Sequence, residues 1–469
     1  MIERCLVGYL CVIATPASCC RKTAAGGSND TEKIPCHPVS WGVGFLVALV
    51  LLLAESTPLR AATEERALYD LDSLIEEALL RNPQVQAMEA RWLAAKERVP
   101  QASSLPDPTL GYTVMGPMLE TRLGPQKDMY EFEQMIPFPG KLAERRKMAS
   151  AETQAAEAQL NRTKQDLILK ISQVYWDLYG VQASLKTTED IRELLNQLEG
   201  IAQARYASQQ GSQRDVAKAQ AEVSDILQRM FVLRQQKQTL LASLKSLLNS
   251  HEEDFDIGEI SSPEIPAPNL SLSELLEHSK ANRPELWEAA ALEKRETHAE
   301  ALSKYEYAPD ISVGFQYFKI GEGDTSEADD GRDAWMVPIK FTIPLWQNRV
   351  VPALQEAKKN RQAAQETLRD TENSSEFEVK NAYYQFTTAK QIIDLYENAL
   401  IPQVEMAFQS DKAGYESGQT DVLNLVDSER VYLNSKLAYY QAVSEALKNF
   451  AMLERAVGLD LETLRRNSP

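Results

Sequence analysis

The side chains with the widest chemical repertoire are few in this sequence and badly placed for catalysis. Beyond His37 the only histidines are His251, His278 and His298, and no two stand at a metal-ligand spacing. All five cysteines (Cys5, Cys11, Cys19, Cys20, Cys36) crowd the start, and none occurs in the long remainder. That excludes a thiolate metal centre or a cysteine nucleophile in the body of the protein. There is no glycine-rich phosphate loop, no nucleophile elbow and no HExxH. Met115, Met118, Met129 and Met135 are soft ligands of a kind that suits Cu(I), but packing or lipid contact is their commoner use. The expectation is therefore no enzyme and no cofactor.

Carboxylates are the abundant reactive group. The 469 residues carry a formal charge of −18, and residues 1–56 contribute nothing to that balance. Such a chain is a poor nucleic-acid partner, since phosphates need basic patches. It suits cations only if its carboxylates line a passage and are not scattered over solvated helix faces.

The elements that could form a passage follow from compartment and repetition. A body without thiols fits an oxidising compartment. Residues 41–54 are uncharged and almost wholly apolar, which is short for a spanning helix and right for the core of a signal peptide. Residues 1–56 are thus read as a signal region, removed, with its start left open. No acylation is expected at Cys19 or Cys20, which lack the leucine a lipoprotein site requires.

From Lys141 to Ser208 no proline occurs, enough for a helix of about 100 Å. The features around that rod return about 200 residues later. Asn82-Pro83 recurs as Arg283-Pro284, Pro106-Asp107 as Pro309-Asp310, Ile136-Pro137 as Ile343-Pro344, and Tyr206 as Tyr415. Four matches in order indicate an internal duplication. The first repeat is assigned to 57–260, with a strand pair near 109–136 and rods at 141–208 and 214–249. A connector at 261–271 leads to the second repeat at 272–460, with a strand pair near 311–343 and rods at 350–415 and 421–458. A tail occupies 461–469.

The strands alternate. Leu110, Tyr112 and Val114, then Tyr130, Phe132 and Ile136, oppose Glu131 and Glu133. In the second repeat Ile311, Val313, Phe315 and Tyr317 share one face, as do Trp335, Val337, Ile339, Phe341 and Ile343. A half-buried antiparallel sheet would alternate in this way. So would strands of a transmembrane barrel, which four strands cannot close alone. Val422, Leu425, Leu433, Leu437, Tyr440, Leu447, Phe450, Leu453 and Val457 form a coiled-coil seam, matched by Val216, Val223, Met230, Leu233, Leu240, Leu244 and Leu247. The alanines from Ala149 to Ala158 offer a second packing flank. The fold class is mainly α with a small β part, and the chain should oligomerise.

Asn82-Pro83 with its following helix, Leu105-Pro106-Asp107-Pro108, the stretch from Gln134 to Lys141 ending Pro-Phe-Pro-Gly-Lys, and Tyr415-x-x-Gly418 together resemble the TolC-like outer-membrane efflux proteins. The Pro-Phe-Pro-Gly-Lys form is most similar to the outer-membrane components of heavy-metal cation efflux systems. The resemblance spans roughly residues 70–458. It implies a homotrimer with a 12-stranded barrel in outer-membrane lipid, four strands from each chain. Long helices would continue it as an α-helical barrel through the periplasm, joined by a periplasmic adaptor and an inner-membrane pump. Drug export or type I secretion would use the same duct. A periplasmic coiled-coil scaffold without a barrel is the rival, and the alternating strands speak against it.

The resemblance also places an aperture at the helix turns. Its candidates are Tyr206 and Asp215 in the first turn and Tyr415, Asp421, Asn424 and Asp427 in the second. Asn424 and Asp427 fall at the positions of an aspartate ring, and Asn424 departs from an acidic pair. Asp421 also reads as a helix cap and Asp427 as a solvated residue. Gly211, Ser212, Gly418 and Gln419 are the adaptor-contact candidates. Lys141 and the cluster Arg145-Arg146-Lys147 sit just below the strands, where a structural role is expected.

Overall fold

Asp70 begins the first described helix by accepting the Leu71 N–H at 2.8 Å, which opens α1 (Leu71–Arg81). The computed structural model describes residues 70–116, 119–253, 255–266, 270–323 and 328–461. The expected signal region with its cysteines, Met118, and the tail beyond Leu461 lie outside them. Asn82 ends α1 and caps α2 (Pro83–Ser103), its Oδ1 accepting from Gln84 and Val85 N–H. Pro83 takes the first helical position, where a missing N–H costs nothing. The Asn82 amide also donates to the Leu247 carbonyl at 2.9 Å, docking this helix pair on α4 (Gln213–Leu248).

The counterpart pair is α5 (Leu272–Asn282), opened by a Ser271–Glu274 capping box, and α6 (Pro284–Tyr305). Arg283 stands where Asn82 does but caps nothing. Its guanidinium bonds Glu285, Glu378 and the Ser375 carbonyl.

The long helix α3 (Lys141–Ala207) runs 67 residues without a break, which is about 100 Å at 1.5 Å per residue. It packs against α1, α2, α4, α6 and α9 (Val422–Val457). Its alanine flank is used within the chain: Ala149, Ala151, Ala155 and Ala158 are buried, and Thr153 beside them donates to the Ala95 carbonyl of α2. The second long run is built differently. The helix α7 (Gln347–Leu395) meets a π turn at Tyr396–Leu400 before α8 (Ile401–Ser417). Pro402 has no N–H to return to the preceding turn, and the ladder widens just before it.

Of the expected seam on α9, Val422, Leu425, Leu433, Leu447, Phe450, Leu453 and Val457 are buried. On α4 the buried line is Ala219, Glu222, Ile226, Met230, Leu241, Leu244 and Leu248, which keeps Met230 and Leu244 of the expected seam and otherwise runs beside it. The Gln182 amide of α3 grips the chain ahead of the connector, donating to the Gly258 carbonyl and accepting the Ile260 N–H.

The strands of both repeats share one antiparallel sheet. Its order is β1 (Thr109–Val114), β3 (Gly124–Ile136), β4 (Asp310–Ile320), then β5 (Ala334–Met336). A short β2 (Glu120–Thr121) pairs with β3, and β6 (Ile339–Thr342) continues the β5 edge along β4. The break between β5 and β6 falls at Pro338, which cannot donate to a ladder. Its carbonyl still accepts the Gly314 N–H at 2.9 Å. The register aligns Tyr112, Tyr130, Tyr317 and Trp335 across all four strands on one face, with Leu110, Phe132 and Phe315 one step along. These aromatic and aliphatic side chains are exposed. The opposite face is polar: Gln316 donates to Glu131 at 2.7 Å, and Lys340 reaches Glu133 at 2.5 Å and Glu131 at 3.6 Å.

The joint between sheet and rod explains the Pro-Phe-Pro-Gly-Lys stretch. Gly140 has φ +105, and a Cβ there would lie 2.9 Å from the Tyr305 ring. Tyr305 in turn packs on Phe138. The Phe138 N–H donates to Asp310, and the buried Lys141 ammonium binds the same carboxylate. Lys141 thus has the structural role expected of it.

Candidate functional site

The helix turns at the far ends of the rods carry the aperture candidates, and the two turns are built on one plan with different residues. The first follows α3, where Gln209 takes φ +62; the second follows α8, where Gly418 takes φ +81. Glutamine in this left-handed region costs roughly 1–2 kcal/mol that glycine does not. The first turn is held by the Arg205 carbonyl, which accepts from Gln210 and Gly211 N–H at 2.8 and 3.1 Å. The second is held by the Gly414 carbonyl, which accepts from Gln419 and Thr420 N–H.

Two contacts tie the turns together. Arg205 donates from Nη1 to the Tyr415 carbonyl at 2.6 Å, and its guanidinium lies 5.1 Å from the centre of the Tyr415 ring. Arg214 approaches Asp421 at 3.6 Å. Tyr415 is buried, and that burial pushes its phenol up, with the nearby Arg205 charge acting against it. Tyr206, its counterpart by duplication, is exposed.

The other expected residues divide into four groups. Ser212 and Asp215 close a reciprocal capping box at the start of α4, the Asp215 carboxylate accepting the Ser212 N–H at 3.0 Å. Asp421 occupies the cap position of α9, but its side chain caps nothing and turns to Arg214 instead. Asn424 and Asp427, three residues apart on α9, are both exposed, and neither side chain has a partner among the described residues. Gly211, Gly418 and Gln419 lie on the turn surfaces.

Arg205 and Arg214 are the residues that sequence reasoning did not single out. A signal for Arg205 existed: it precedes Tyr206 where Gly414 precedes Tyr415. A Cβ at Gly414 would lie 2.8 Å from Thr420, so the second turn has no room for a side chain at that position. The first turn, lacking that constraint, sends a long cation across to its partner.

Among the described residues, no cluster of histidine, cysteine or carboxylate side chains could hold a metal ion. No helix among them is long and apolar enough to cross a membrane. The arrangement is that of a long helical frame with an apolar-faced sheet at one end and linked turns at the other. Residues 74–250 and 275–459, the two repeats in turn, match the family of outer membrane efflux proteins.

The chain belongs to that family.

One relative of this outer membrane efflux protein is the cobalt-zinc-cadmium resistance protein CzcC of Cupriavidus metallidurans. The two are 21% identical over 367 residues, covering 76% of this chain and 82% of CzcC. Among solved structures the outer-membrane channel OprN superposes with a TM-score of 0.73 at 20% identity, covering 84% of this chain and 90% of OprN. The outer membrane protein VceC of Vibrio cholerae gives 0.70 at 20% identity, covering 83% and 96%. The fold is that of TolC-like outer-membrane channels, as the motifs implied.

Proposed function

We propose that three copies of this chain form a passive duct through the outer membrane and periplasm. Its cargo would be heavy-metal cations handed on by a periplasmic adaptor and an inner-membrane pump. The observation that carries this reading is the sheet. One face is apolar and exposed, and the edges at β1 and at β5–β6 have no neighbour among the described residues. In lipid an open edge leaves backbone groups unpaired, so strands from further copies must close it. Three chains of four strands make a barrel of about 12 strands, within the known range. The polar face with Glu131, Glu133, Gln316 and Lys340 would line the lumen.

The cation reading is supported by the net charge of −18 and by the resistance that CzcC is named for. Asp427 and Asn424 stand on a free face of α9 near the turns, where a threefold ring of carboxylates would concentrate cations and repel anions. The turn residues Gly211, Ser212, Gly418 and Gln419 are the surface offered to the adaptor. The duct needs no catalytic group.

The test has two arms. Purified protein is cross-linked in detergent and reconstituted in planar bilayers; trimers with discrete conductance are expected, and salt-extractable protein without conductance sinks the duct. A deletion strain is then scored for zinc, cadmium and cobalt sensitivity beside a panel of dyes and antibiotics. Sensitivity to the drugs alone would assign the duct to drug export.

A further inference from the structure

The seam between the hairpins α3–α4 and α8–α9 contains a carboxylate that the duct does not use. Glu429 of α9 is fully buried, and neither of its oxygens has a hydrogen-bond partner. Leu425, Val426 and Leu433, one turn to either side, belong to an apolar cluster with Ile226 and Met230 of α4, Leu195 and Leu198 of α3 and Phe408 of α8. Into the same seam α4 brings Glu222, also buried.

The neighbouring cations are already committed. Arg430 donates from Nε and Nη2 to the two Glu222 oxygens, at 2.6 and 2.7 Å. Arg229 is held by Asp225 at 3.1 Å and by Asn434 of α9 at 3.0 Å. From α3 and α8 no charged group acts on Glu429 as strongly as these four among the described residues. An ionised carboxylate without hydrogen bonds in such a place costs several kcal/mol, and its neutral form costs less.

We propose that Glu429 carries a proton while α9 lies packed on α4, and that losing it unseats this contact, so that the hairpin seam is a proton-sensitive latch. The geometry and the electrostatics agree. Burial first, and the Glu222 charge second, raise the Glu429 carboxyl to about 7, against the pull of Arg229 and Arg430. Exposed, the same group returns to about 4.5. Between those values the packed state binds more protons than the opened one, so the opened state gains as pH rises. The latch is a property of the packed chain; that its release widens the aperture rests on the duct reading above.

Hydrogen–deuterium exchange of the full chain in detergent tests the latch, following peptides from residues 213–230 and 422–436 with intrinsic rates corrected. Between about pH 6 and about pH 8.5 the opened population of the wild type should rise about tenfold. Glu429→Gln, which keeps the volume and mimics the protonated group, should show low exchange at both values. Glu222→Gln removes the like charge and frees Arg430, so it should move the rise to lower pH. A flat wild type, or a rise that persists in Glu429→Gln, overturns the latch. Single-channel conductance over the same range separates the two readings. No conductance at any pH with the exchange pattern intact sinks the duct and leaves the latch; conductance that ignores the exchange overturns the coupling of latch to aperture.

Discussion

Lys141 of the first repeat neutralises Asp310 of the second, its ammonium lying 2.9 and 3.0 Å from the two carboxylate oxygens. The lysine side chain is 3% exposed and the aspartate 16%. A cation this deep needs its partner, because an unpaired buried charge is far costlier than the pair itself. Asp310 opens β4 and Lys141 opens α3, so this one pair fixes the start of a strand against the start of the rod. Lys141→Ala and Asp310→Ala should each lower stability by about 3–5 kcal/mol. Thermal unfolding in detergent measures it, and a loss below about 1 kcal/mol would mean that water reaches the pair.

Gly140 should tolerate no side chain. Its φ of +105 is strained for any L residue, and a Cβ would meet the Tyr305 ring at 2.9 Å. Gly140→Ala should cost roughly 1–3 kcal/mol from the backbone alone, plus the clash. The double variant Gly140→Ala/Tyr305→Ala relieves the clash but not the backbone, so it separates the two. Full recovery in the double variant would show that the backbone term is negligible.

This joint also shows what a sequence can convey. The stretch from Pro137 to Lys141 marks the passage from strand to rod, because proline ends a ladder and glycine allows the turn. The alternating faces of the strands were legible for the same reason: a period of two assigns each residue to a side. What the linear order hides is partnership across the duplication. That Lys141 meets Asp310, or Arg205 the Tyr415 carbonyl, depends on two repeats packing side by side, and neither pair has a local spacing. The burial of Glu222 and Glu429 was not legible either, because charged side chains are rarely fully buried and no local pattern marks these two. The π turn likewise has no local signal, because the helix continues through it past Pro402.

Arg205 should act as a tie between the two turns. It bonds a main-chain carbonyl, so Tyr415→Phe keeps both that bond and the ring beneath the guanidinium. Arg205→Ala removes both, and a charge-assisted bond of about 1.5–3 kcal/mol corresponds to about a tenfold or larger rise in the opened state. Exchange of peptides at the two turns should therefore rise in Arg205→Ala and stay near wild type in Tyr415→Phe. Equal effects would make the phenol hydroxyl the contact that matters.

Acid should weaken the ion pair that ties Glu285 of α6 to Arg455 of α9. Burial would raise the Glu285 carboxyl, but the bond and charge of Arg455, joined by Arg283, hold it down at about 2. The unfolded value is near 4.5. The folded chain therefore gains from ionised Glu285 above about pH 4.5 and loses that gain as pH falls toward about 2. Glu285→Gln should be less stable than the wild type at neutral pH, and the gap should close on acidification through this window. A gap independent of pH would assign the loss to packing instead.

Asp427 offers the sharpest test of the aperture, because no bond among the described residues commits its carboxylate. It is exposed, unpaired among the described residues, and shares a face of α9 with Asn424. If three copies bring this face to a common axis, three carboxylates meet in a narrow mouth and attract divalent cations there. Asp427→Ala should then weaken block of the channel by divalent cations on the order of tenfold, and raise its permeability to anions. Asn424→Asp restores the second carboxylate one turn away and should strengthen block by a similar factor. Single-channel recordings with cations added from the side of the turns measure both. Because a charge on an ordinary solvated face would leave block unaltered, a null result in both variants removes α9 from the lining of the duct.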